Sequence, residues 1–131
     1  MINKLLLMKI IASMAFFAMA AEESNRVDSE KGGFTLVYQS ELQPLEINQI
    51  HSWQLTLLDK SGNPVSGALL EVEGGMPAHN HGLATEPVIE EVGSGIYRMS
   101  GMRFHMMGYW ELEFTVTYNG ESDSMMLPLD L

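Results

Sequence analysis

The chain contains no cysteine, and that single absence removes several classes of function. Disulfide staples, thiolate zinc sites and the blue-copper electron-transfer centre all need the thiol or thiolate, and so does a lipid anchor of the bacterial lipoprotein type. Basic residues are scarce, 7 Lys and Arg against 17 Asp and Glu for a net charge of −10. Such a surface repels nucleic acid and anionic head groups. Long apolar runs are also wanting. The one present, residues 10–18, follows Lys4 and Lys9 and leads into Ala18-Met19-Ala20; it is too short to span a bilayer and has the form of a secretory signal peptide cleaved after Ala20. Setting residues 1–20 aside takes both lysines and no acid with it, moving the net charge from −10 to −12. No helical period follows, and neither a nucleophile elbow nor a Ser-His-Asp arrangement is present, so no enzymatic activity is expected.

What remains reads as one domain of short strands. Residues 21–33, AEESNRVDSEKGG, are polar and without apolar period, which predicts a flexible leader before a domain at 34–131. Phe34–Ser40 and His51–Asp59 alternate apolar and polar residues, as does 68–73, where Gly74-Gly75 is expected to end the strand. A weaker strand at 87–92 turns through Gly93-Ser94-Gly95 into Ile96–Met102. Tyr109–Tyr118 gives the clearest alternation, with Trp110, Leu112, Phe114 and Val116 on one side, and Asn119-Gly120 is the strongest hairpin signal, leading to a returning strand at 124–129. Seven strands at this spacing predict an all-β, seven-stranded antiparallel immunoglobulin-like β-sandwich after a cleaved signal peptide, with a small closed barrel as the alternative. Trp53 and Trp110 share parity with their aliphatic neighbours and are expected in the core.

Strand reversal then sorts the connections. Those leaving the first, third and fifth of the seven strands emerge at one pole and carry all four histidines; the opposite pole receives the turn-formers GNPVSG, GSG and NGES. Two segments dominate the first pole, MPAHNHG at 76–82 and FHMMGYW at 104–110. Thioether sulfur is a soft donor that suits Cu(I), and imidazole suits copper in either oxidation state and also zinc. Met76, His79, His81, His105, Met106 and Met107 together therefore predict a copper site, Cu(I) or Cu(II), with the histidines within reach of one ion. His51 has the parity of Trp53 and Leu55 and reads as a capped, half-buried core histidine rather than as a ligand. Met99 and Met102 read as packing, Met125 as core and Met126 as an exposed edge residue.

The runs GGMPAHNHG at 74–82, GSGIYRMSGMRF at 93–104 and MGYWELEFTV at 107–116 resemble the YtkA-like family, with a looser similarity to FixH-like proteins. That resemblance covers residues 45 to 130 and rests on Met76, Pro77, His79, His81, Gly82, Tyr97, Gly108 and Trp110. It implies an immunoglobulin-like fold and a link to copper handling or to assembly of copper-containing respiratory enzymes. The chain departs from the family pattern in having His105-Met106-Met107 before the glycine, where a proline is common. The functional expectation is a secreted or periplasmic, non-enzymatic copper-binding or copper-delivery domain that meets a membrane or periplasmic copper protein. The competing expectation is a metal-free interaction module contacting a membrane-protein partner.

Overall fold

The computed structural model describes residues 25–131; the expected signal peptide, residues 1–20, lies outside the described residues. Nine strands are present: β1 Arg26–Asp28, β2 Phe34–Ser40, β3 His51–Asp59, β4 Leu69–Met76, β5 His81–Gly82, β6 Val88–Gly93, β7 Ile96–Met102, β8 Tyr109–Tyr118 and β9 Glu121–Asp130. They form two antiparallel sheets, one ordered β1-β2-β3-β7-β6 and the other β5-β4-β8-β9. One core fills the space between them, built from the inward positions of both sheets, among them Leu36, Trp53, Leu55 and Met99 of the first and Leu70, Trp110, Leu112, Phe114 and Met125 of the second. Both tryptophans are buried, as their parity predicts.

Alternation explains the long strands. In β8 the residues Trp110, Leu112, Phe114 and Val116 face inward while Tyr109 and Glu113 are exposed, so one period-two pattern fixes which face is buried. Four elements end where the sequence pattern ends: β2, β3, β7 and β8.

Three differences from the sequence reading have physical reasons. There are nine strands rather than seven, because β1 and β5 are pieces of three and two residues held by main-chain bonds rather than by an apolar face. The segment expected to be a flexible leader is thereby part of the fold from Arg26 on: β1 pairs with β2, Ser29 N donates to Phe34 O at 2.9 Å and Glu30 N to Ser124 O at 2.8 Å. Gly74-Gly75 does not end β4. The strand continues to Met76 because a Cβ at Gly75 would stand 2.7 Å from the His81 carbonyl oxygen and one at Gly74 would stand 2.6 Å from Leu112. Those glycines serve close approach of neighbouring chain, a role the same residue type also has in strands.

Candidate metal site at one pole

The segment 76–82, expected to lie outside regular structure, is a hairpin. Met76 pairs with His81 and Gly75 with Gly82 across the β4–β5 ladder. Between them His79 N donates to Met76 O at 3.1 Å, and Asn80 takes the left-handed conformation at φ 52° that closes the turn. Asparagine tolerates that region because its short polar side chain does. The hairpin projects His79 and His81 outward, and both are exposed.

The connection from β7 to β8 arrives beside it. The ring centres of His79 and His81 are 6.1 Å apart, and those of His81 and His105 are 5.6 Å apart. His81 is thus the middle of a chain of three imidazoles drawn from two separate connections. Two imidazoles bound to one ion through nitrogens about 2.0 Å from it have ring centres about 5 to 6 Å apart, so the spacing suits a shared ion. The present ring orientations are nearly parallel for the first pair, at 25°, and edge-on for the second, at 81°. Among the described residues no three His, Asp or Glu side chains are already gathered as an ion would hold them; sharing one requires the rings to turn about their side-chain torsions.

Trp110 fixes the second segment from below. Its indole Nε1 donates to Met106 O at 3.0 Å, and its ring packs edge-on against Phe104 at 5.2 Å and His105 at 5.4 Å. A residue the sequence assigns to the core therefore also sets the height of His105. The Nδ1 atom of His105 is buried and has no hydrogen-bond partner. Met76 is 1 % exposed, and its methyl lies where a Cβ on Gly108 would be 2.9 Å away. Gly108 has φ 128°, which a side chain rarely accepts, so the glycine both shapes the loop and admits Met76. Met106 is partly buried against the core, whereas Met107 is 68 % exposed.

His51 lies at the same pole but is occupied otherwise. Its ring is buried between Trp53 and Phe104, at 6.5 and 6.0 Å, its Nδ1 bonds Gln49 O at 2.9 Å, and its Nε2 is buried without a partner. Of its two readings, the capped core histidine describes what the structure shows.

Beside the hairpin runs a groove of about 320 Å³ in which Met76 and His81 meet Asn80, Glu111, Glu113 and Met126. In the sequence Glu111, Glu113 and Met126 read as an ordinary outer strand face. The signal that places them is register: Glu111 lies opposite Gly75, and Met126 opposite Glu113.

A model of the family described as YtkA-like matches residues 26–115, from β1 into β8. The chain belongs to the YtkA-like family. The match begins at β1, in agreement with a YtkA-like domain whose first paired residue is Arg26. Among solved structures, the crystal structure of a DUF4426 family protein from Pseudomonas aeruginosa PAO1 is similar, with a TM-score of 0.56 and 13 % identity over 80 % of this chain and 94 % of that one. At that identity the likeness speaks for the shared fold alone. No curated protein matches the chain.

Proposed function

We propose that this YtkA-like domain is an immunoglobulin-like, non-enzymatic copper-binding or copper-delivery module that works outside the cytoplasm. The order β2-β3-β7-β6 against β4-β8-β9 supports the fold assignment, since it reproduces the four-plus-three arrangement of the constant-type immunoglobulin sandwich with β1 and β5 added at the edges. The observation that carries the function is the placing of His81 between His79 and His105, across two connections. Two further features support it. The buried Nδ1 of His105 has no partner, a condition it shares with His51 Nε2, Trp53 Nε1 and Arg103 Nε, and the adjoining groove is lined by carboxylates with no Lys or Arg, a field that attracts cations.

His79, His81 and His105 would hold the ion, with Met76, Met106 and Met107 as the neighbouring thioethers. Copper, bound there, supplies affinity for soft and borderline donors together, which favours it over magnesium, calcium or manganese at such a set. Met76 is directly opposite His81 in the ladder, where side chains share a face. Met107, being exposed, is the thioether that an incoming donor or acceptor protein meets first. A membrane or periplasmic copper protein is the partner this reading implies.

Competition against a chromophoric chelator tests it. Wild type should bind copper with better than about micromolar affinity, a standard free energy near −8 kcal/mol. His79→Ala with His81→Ala should abolish Cu(II) binding and leave weaker Cu(I) binding through the methionines. Protons compete for imidazole nitrogen and not for thioether sulfur, so the residual binding should persist at pH 5 while the wild-type Cu(II) affinity falls there.

The metal-free interaction module is supported by one observation of its own. Ile50, 72 % exposed, and Met107 present apolar surface at the same pole. Wild type without copper affinity tighter than about micromolar in either oxidation state would turn the assignment to that module.

A further inference from the structure

A second feature lies along β4. One flank of β4 is paired with β8 from Leu69 to Gly75, while the other is paired only at its end, where Gly75 and Met76 meet β5. Main-chain groups of an antiparallel strand point alternately to one neighbour and the other. Gly74 directs its carbonyl away from β8 and accepts from Leu83 N at 3.1 Å, and Ala68 N, of the same parity, donates to Tyr97 Oη at 3.1 Å. Leu70 and Val72 lie between these two with the same parity. Their N–H and C=O groups face the open flank without a partner in the described residues.

Beside that flank is a groove of about 430 Å³ in the gap between β4 and β6, floored by Leu70, Val72, Pro87 and Ile89 and rimmed by Glu71 and Glu73. Glu73 stands opposite Glu113 in the ladder, so like charges already face each other there. Such a pair is destabilising unless a cationic group joins it.

We propose that the open flank of β4 binds an extended, basic segment of a partner protein by strand addition. The segment's main chain pairs with Leu70 and Val72, its alternate Lys or Arg side chains meet Glu71 and Glu73, and the intervening apolar side chains lie over the groove. A second copy of this chain is disfavoured as the occupant, because edge-to-edge pairing would set Glu71 and Glu73 against their own counterparts on a protein of net charge −10. The inference does not rest on copper, although Glu73 also lines the groove beside His81, so copper affinity is measured on the wild-type chain.

The test uses the whole chain and a fluorescein-labelled decapeptide of alternating lysine and valine, followed by fluorescence anisotropy. Binding should weaken with added salt, as exposed charge pairs do, and should be roughly tenfold weaker for Glu71→Lys with Glu73→Lys. Glu73→Lys gives Glu113 an opposite charge, so the variant keeps its fold, which its circular dichroism checks. The same peptide N-methylated on alternate amides should not bind. Hydrogen exchange at the Leu70 and Val72 amides should slow when the unmodified peptide is added. Absence of binding, binding insensitive to N-methylation, unchanged exchange at those amides, or sedimentation as a dimer abolished by the same glutamate variants would each overturn the proposal.

Discussion

The two poles of the sandwich are built from the same kind of connection and differ in which polar groups they leave unbonded. At the pole away from the histidines, side chains are tied back to nearby main chain. Tyr97 Oη donates to Val65 O at 2.9 Å, Glu91 accepts from the Ser66 hydroxyl and from Gly67 N, and Asp59 accepts from Ser61 N and Asn63 N. Asp123 accepts from the amides of Lys31 and Ser124 and is buried. The rings of His79 and His105 each lie beside that of His81, and none of the three forms a hydrogen bond within the described residues. The histidine pole has such ties too, Trp110 to Met106 O and His51 to Gln49 O, but it also leaves three imidazoles unbonded, which is what a ligand site requires.

If that division is right, a substitution should change stability or metal binding according to where it falls, and the largest effect should come from the one residue that serves both. Trp110→Ala removes a fully buried ring and the bond that holds Met106 O. It should destabilise by about 3 to 5 kcal/mol in chemical denaturation, and the folded fraction that remains should bind copper more weakly. Melting like wild type would mean that the indole packs nothing of consequence.

Asp123→Asn probes the far pole alone. Burial by itself would push the Asp123 carboxyl up, but bonds from the Ser29 hydroxyl and the Lys31 and Ser124 amides, with the Lys31 charge, outweigh it and hold the group below the usual range. A carboxyl lowered in this way stabilises the fold above its unfolded value, near 3.9 for aspartate, and the contribution is lost as pH falls through the folded value. The variant should therefore be less stable by about 2 to 3 kcal/mol at neutral pH, with the gap closing below about pH 4 and copper affinity unchanged throughout. Denaturation at pH 7, 5 and 3 measures it, and a gap that widens with acid would reverse the assignment.

Tyr97→Phe is the mildest of the three. It takes a hydroxyl from between Val65 O and Ala68 N, for a loss of about 1 to 2 kcal/mol in thermal or chemical unfolding. Copper titration should again match wild type. A change in copper affinity here would break the separation of the poles.

How much of this the sequence discloses follows from what each feature depends on. The ends of β3 and β8 are legible because one buried face imposes a period of two on nine or ten residues. The convergence of His79, His81 and His105 is legible too, since reversal of consecutive strands assigns their connections to the same end. β1 and β5 are not, because pieces of three and two residues are too short to show a period of two and are held by main-chain pairing alone, and Gly74-Gly75 misleads because a strand breaker and a site of close approach are the same residue. The second role of Trp110 and the burial of Met76 beneath Gly108 are equally invisible. Both are three-dimensional contacts that no periodic pattern reports.

The most direct test of the division is ¹⁵N imidazole NMR of the wild-type protein during addition of Cu(I), whose closed shell leaves the resonances visible. The account predicts that nitrogens of His79, His81 and His105 shift together with one equivalent of metal, while His51, bonded to Gln49 O, does not move. Shifts confined to a single histidine, a response from His51, or none at any of the three would contradict it.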